Sequence, residues 1–131
     1  MIERYWNADL IAKMLGAIFV LAGLAGFIAN PLVSATGVFV VNDGHNLVHI
    51  LSGVILLAGA FLGAPAFSIR GVALLYLVVA ILGFVWPESP LFSYIEMNYA
   101  DRWLHAGIAA ALLSVGFVKP AFQDTSSLAR F

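Results

Sequence analysis

The chain has 131 residues, of which 63% are hydrophobic and only 10% charged, whereas charged residues make up roughly a quarter of a soluble domain. Its mean hydropathy of +1.01 says that water is not its main solvent. A net charge of −1 excludes nucleic acid as a partner, because no Lys/Arg patch can displace phosphate counterions, and the lack of cysteine removes disulfides, thiolate metal sites and Cys nucleophiles.

The opening residues, Met1 to Asn7, carry no charged-then-apolar run ending in a small-residue cleavage site, so the first apolar segment is expected to stay in the mature protein. A bilayer core takes about 20 helical residues, and lipid-exposed backbone must be hydrogen-bonded within its own segment. The first such span is predicted at about residues 8–29, with Lys13 able to snorkel near one end and Asn30-Pro31 closing it. An outer loop follows, carrying the apolar run Val38-Phe39-Val40-Val41 and expected to lie on the membrane surface or fold over the helix ends. The second span, at about residues 45–64, is closed by Pro65. The third, at about 69–86, stops at Pro87 and leads into a second outer loop, which contains Leu91-Phe92-Ser93-Tyr94-Ile95. The fourth, at about 101–118, stops before Pro120. Proline closes each span because it cannot continue the helical ladder. Residues 121–131 are expected to form a mobile tail.

The last two spans are short for a bilayer, and a soluble apolar-core bundle competes with them; such a bundle needs a polar outer face, which these segments lack. Arg4, Lys13, Arg70, Lys119 and Arg130 fall on one side and Arg102 on the other. By the positive-inside rule both termini are then cytoplasmic, in a cell inner membrane. Tyr5, Trp6, Trp86, Phe92, Tyr94, Tyr99 and Trp103 lie near span ends, as interfacial anchors do.

The halves repeat. Asn42, His45 and His49 align with Asn98, Asp101 and His105, and Lys13, Phe19 and Gly26-Phe27 align with Arg70, Tyr76 and Gly83-Phe84 after a one-residue change of step. The expected fold is all-α: one membrane domain over residues 1–131, a four-transmembrane-helix bundle of two tandem hairpin repeats, at about 8–64 and 69–120. Each copy contains two spans, so both enter the membrane in the same direction and place equivalent residues at equal depth. Gly59-x-x-x-Gly63, Ala22-x-x-x-Gly26 and Gly107-x-x-x-Ala111 offer close-packing faces.

His45 and His49 share one helix face, and Asp101 and His105 share a face of the partner helix. Three imidazoles and a carboxylate make a ligand set for zinc, copper or non-haem iron; alternatively, His49 and His105 bracket a haem. Against these stands a purely structural reading: Asn42, Asp43, Asn98 and Asp101 sit where N-caps belong, and His49 and His105 hydrogen-bond between helices. The cluster's place at helix N-termini mildly opposes a cation. No Ser-His-Asp, phosphate loop or HExxH pattern is present, so no catalytic residue is predicted.

On the two turns Asn42-Asp43-Gly44-His45-Asn46-Leu47-Val48-His49-Ile50-Leu51-Ser52-Gly53 and Asn98-Tyr99-Ala100-Asp101-Arg102-Trp103-Leu104-His105, the chain resembles a bacterial group of small four-helix membrane proteins, the domain-of-unknown-function family 4383. The family pattern of His-Asn-x-x-His and Asp-Asn-x-x-His carries over to His45, Asn46, His49, Asp101 and His105, with Arg102 in place of the second Asn. The resemblance implies the fold and brings no activity. Composition leads to a non-catalytic accessory or self-associating component of the lipid bilayer, with or without membrane-protein partners. The alternatives are a metal or haem binder using His45, His49, Asp101 and His105 and, less favoured, an ion or proton conductor.

Overall fold

The structure, a computed structural model, describes residues 7–118. The protein is largely α-helical, and three apolar helices are long enough to cross a membrane: α1 (Ala8–Ala25), α2 (Asp43–Phe61) and α3 (Pro65–Val85). A short α4 (Leu91–Tyr94) precedes α5 (Tyr99–Leu113), which runs without a break into a π-helical stretch, Ser114–Val118. The loop between α1 and α2 holds two two-residue strands, β1 (Val33–Ser34) and β2 (Phe39–Val40), paired in parallel, an element that the all-α expectation lacks. Arg4, Lys119 and Arg130, on which the predicted orientation partly rests, lie outside the described residues, as does the tail.

Helix ends follow local chemistry more closely than proline positions. Helix α1 stops at Ala25, short of Asn30-Pro31, because the Asn30 amide donates to the carbonyls of Ala25, Ile28 and Val33 while its oxygen accepts from Leu32 and Val33 N–H. That side chain knots the chain into a turn. Pro65 does not merely close α2. It opens α3 at N1, where its missing N–H costs nothing, and Gly63 turns the chain between them at a φ of 78° that favours glycine.

Helix α1 packs along α2, α3 packs along α5, and α2 against α3 joins the two pairs. The core is small and aliphatic: Ala12, Leu56, Ile69, Val72, Ala73, Ala109 and Leu112, with Tyr76 at one end. The outside is the reverse of a soluble surface. Leu10, Ile18 and Leu21 on α1, Leu51 and Val54 on α2, and Val78 and Ile81 on α3 all stand exposed, whereas His45, Asn46, His49, Ser52, Asp101 and His105 are buried. Such an apolar exterior calls for lipid.

At the end away from the histidines, Lys13 pairs with Asp9 at 2.8 Å and lies over the Phe61 ring. Arg70, which aligns with it in the predicted repeat, donates from Nε to the Gly116 carbonyl at 2.7 Å. Gly116 lies within the π-helical stretch.

Close approach of α1 and α2 rests on bare backbone. A Cβ on Gly53 would come within 2.6 Å of the Gly16 carbonyl, and one on Gly23 within 2.6 Å of the Asn46 carbonyl. Of the three small-residue faces predicted, the one containing Gly26 packs on α2, and Gly59 meets Ser68; Gly63 and Gly107 have open space beside them. A Cβ on Gly26 would collide with the Asn46 carboxamide. Gly26→Ala is therefore expected to cost about 1–3 kcal/mol. Removing the obstructing amide with Asn46→Ala should recover part of that loss, giving a coupling of at least about 0.5 kcal/mol in a double-mutant cycle, measured by unfolding in detergent. Additive single effects would show that the two residues do not collide.

Candidate metal centre

Each histidine is held by a helix start. Asn42, in extended backbone, caps α2 by accepting from His45 N–H at 3.0 Å, so His45 occupies the third helical position and His49 lies one turn on. Asn98 caps α5 in the same manner: its Oδ1 accepts from Asp101 N–H at 3.0 Å, and its own N–H donates to Asp101 Oδ2 at 3.1 Å, completing a capping box. His105 follows one turn after Asp101.

The three imidazoles converge. His45, His49 and His105 are 1%, 6% and 2% exposed, and one ring nitrogen from each falls within 4.8 Å of the others. Ring centroids are 4.5 Å apart for His45 and His49, 5.2 Å for His45 and His105, and 6.1 Å for His49 and His105. Phe19 and Tyr76 close over them edge-on, and the Tyr76 hydroxyl donates to Ser52 Oγ at 3.3 Å. Between His45, His49, Tyr76 and His105 is a void of about 10 Å³, the size of a single water or ion. A larger apolar groove of about 540 Å³ lies between α1 and α5, bordered by Ile18, Phe19, Leu104 and Ile108, and reaches only His49 of the three.

Hydrogen bonding fixes one tautomer. His45 Nδ1 lies 2.6 Å from the Glu96 carbonyl oxygen, which can only accept, so Nδ1 carries the proton and Nε2 presents a lone pair. That lone pair is 3.1 Å from His49 Nε2. Either His49 donates to it, or both nitrogens face one cation; tetrahedral ligands about 2.0–2.1 Å from an ion sit at a comparable separation. In both cases His49 Nδ1 is buried without a partner among the described residues. His105 Nδ1 lies 2.8 Å from the Met97 thioether.

Three of the four predicted ligands thus meet, and Asp101 lies outside their group. Its carboxylate is turned back to the start of α5, where the Asn98 N–H holds it. The residues that sequence reasoning missed are Met97, the Glu96 carbonyl and Tyr76. Met97 had one legible signal, since the predicted repeat aligns it with Val41, a thioether standing against a branched aliphatic.

Comparison with curated proteins and with solved structures returns no match. One family description, "Domain of unknown function (DUF4383)", matches residues 10–118. With that match running from early in α1 through the π-helical stretch, the chain belongs to the DUF4383 family.

Proposed function

We propose that this protein is a membrane-embedded metal-binding protein whose His45, His49 and His105 hold one ion near the outer end of a single four-helix domain. The observation that carries the reading is the convergence of three buried ring nitrogens around an atom-sized void. In this reading α5 and its π-helical extension form the fourth span. The pairs α1–α2 and α3–α5 are like-oriented repeats, and both termini face the cytoplasm across the inner membrane. The matching caps at Asn42 and Asn98 support the repeat.

A purely structural polar cluster accounts for the centre less well. His49 Nδ1 is an unpaired buried atom in either reading, at a cost of about 1–3 kcal/mol, and a structural metal site contributes on the order of 10 kcal/mol to offset it. A haem is disfavoured by space: pockets for ligands of that class span roughly 300–1,000 Å³, while His45 fills the gap between His49 and His105, leaving about 10 Å³. The larger groove offers His49 alone and no second axial imidazole. Conduction is disfavoured because the core beyond Ser52 is aliphatic, with Leu56, Ala60, Val72 and Leu112 in the way of a polar path. An accessory role in a larger complex is compatible with the centre and does not explain it.

Purification in mild detergent, followed by elemental analysis and a visible spectrum, tests the reading. About one ion per chain is expected. Metal at background after separate incubation with copper, zinc, iron and manganese would reject the centre, and a haem absorption band would replace the ion with a macrocycle.

A further inference from the structure

We infer that the groove between α1 and α5 holds one single-chain membrane lipid whose neutral hydroxyl head hydrogen-bonds to Asp101 and His49. The bond to His49 rests on the metal centre proposed above; the lipid's seat and its bond to Asp101 do not.

In the predicted repeat, the groove is the counterpart of the void beside the histidines. His45, Val48, Tyr76 and Val79 line that void, where α2 meets α3. The repeat aligns them with Asp101, Leu104, Phe19 and Ala22, and all four line the groove. The void holds about 10 Å³ and the groove about 540 Å³, because α2 packs on α3 whereas α1 and α5 do not pack closely. One of two matching faces has been left open.

The dimensions suit a single chain. The lining runs from Ile11 to Ala22 on α1 and from Asp101 to Val115 on the other side, about 16–21 Å at a rise of 1.5 Å per residue. Spread over that length, about 540 Å³ makes a channel about 6 Å across, the width of one hydrocarbon chain. Ile18 and Leu104 on its border are exposed, which opens it sideways to lipid.

The head is set by the two polar residues of the lining, His49 and Asp101, which are 6% and 1% exposed. Both belong to the first two turns of their helices. Asp101 takes the Asn98 N–H on Oδ2, and Oδ1 has no partner among the described residues. A carboxylate only accepts, so the head must donate. An anionic head would meet a buried like charge, and a cationic one would meet the positive ends of α2 and α5 besides its own desolvation cost. His49 Nδ1 is the unpaired buried nitrogen. With an ion at Nε2, Nδ1 carries the proton, and a metal-ligating imidazole ordinarily donates that proton to an outer partner. A hydroxyl is the smallest neutral group that donates to Asp101 and accepts from His49 at once.

The test places the full chain in nanodiscs of a neutral phospholipid, adds hexadecanol bearing a diazirine on its chain, and maps the photocrosslinks by mass spectrometry. Adducts are expected on Ile18, Leu104 or Ile108. Unlabelled hexadecanol should suppress them at about a tenth of the concentration needed by hexadecyl methyl ether, which accepts but cannot donate, or by hexadecyl sulfate, which is charged. Asp101→Asn keeps an oxygen for the Asn98 N–H and gains an NH₂ that can donate to an ether, so it is expected to bring the ether within about threefold of the alcohol. Adducts confined to outward-facing residues such as Leu10 and Val78 would leave the groove without a lipid and overturn the proposal. Equal suppression by all three competitors would overturn it too, by showing a chain without a recognised head. Metal content is measured on the same sample, so a failed metal centre is seen separately from a failed lipid site. The wild-type order of competitors decides the head even if Asp101→Asn does not fold.

Discussion

Addition of the bound ion at about a hundred times its dissociation constant is expected to raise the unfolding midpoint of the solubilised protein by roughly 10 °C, and His49→Ala or His105→Ala to abolish that rise. An ion that binds only the folded chain at this excess stabilises it by about 2.7 kcal/mol, which for a domain of this size corresponds to a shift of that order. The effect is large because of where the ion would sit. Helices α2 and α5 make few close backbone approaches to each other, and His45, His49 and His105 are where their side chains meet. An ion there cross-links the α1–α2 pair to the α3–α5 pair through two residues of one and one of the other. Tryptophan fluorescence during heating, with and without the ion, reads the shift. A structural cluster predicts a different pattern, in which both variants lower the midpoint and the ion moves neither the variants nor the wild type. That pattern would remove the centre.

The apolar spans were legible because lipid imposes a length and a composition on any helix that crosses it, and α1, α2 and α3 meet both conditions. The shorter α5 was legible mainly through its likeness to α2. The repeat also led to Asp101 being grouped with the histidines, because Asp101 aligns with His45 and both occupy the third position of their helices. The same position has two outcomes. A carboxylate there can bend back to the N-cap N–H, as Asp101 does, and complete a capping box. The His45 ring instead turns to the Glu96 carbonyl, contributed by a segment 51 residues further along. No periodicity within one helix contains that information. The glycines show a similar limit: spacing within a helix singled out Gly107, which has open space beside it, and missed Gly16 and Gly53, whose backbones nearly touch across α1 and α2.

Asn42→Ala is expected to cost about 2–3 kcal/mol of stability and to weaken metal binding by about 10- to 100-fold, although Asn42 is not itself a ligand. Its Oδ1 accepts from two backbone N–H groups, His45 at 3.0 Å and Glu96 at 3.1 Å, and its Nδ2 donates to the Tyr94 carbonyl at 3.2 Å. One side chain therefore caps α2 and fastens the loop between α3 and α5 over it. Asn98 makes the reciprocal clasp, capping α5 while its Nδ2 donates to the Val38 carbonyl of the first loop at 2.8 Å. Loss of an N-cap alone costs about 1 kcal/mol, and the two loop bonds add to it. The effect on binding has a separate cause. With the loop released, the Glu96 carbonyl no longer holds the proton on His45 Nδ1, so His45 Nε2 is no longer fixed as the lone-pair nitrogen facing His49. Asn42→Asp keeps the acceptor oxygen and loses only the donation to Tyr94, so it is expected to retain most of the affinity. Chelator competition and thermal unfolding on the same samples separate the two effects. If Asn42→Ala loses stability but binds the ion within about twofold of the wild type, the Glu96 carbonyl does not position His45, and the ligand tautomer must be set by the ion itself.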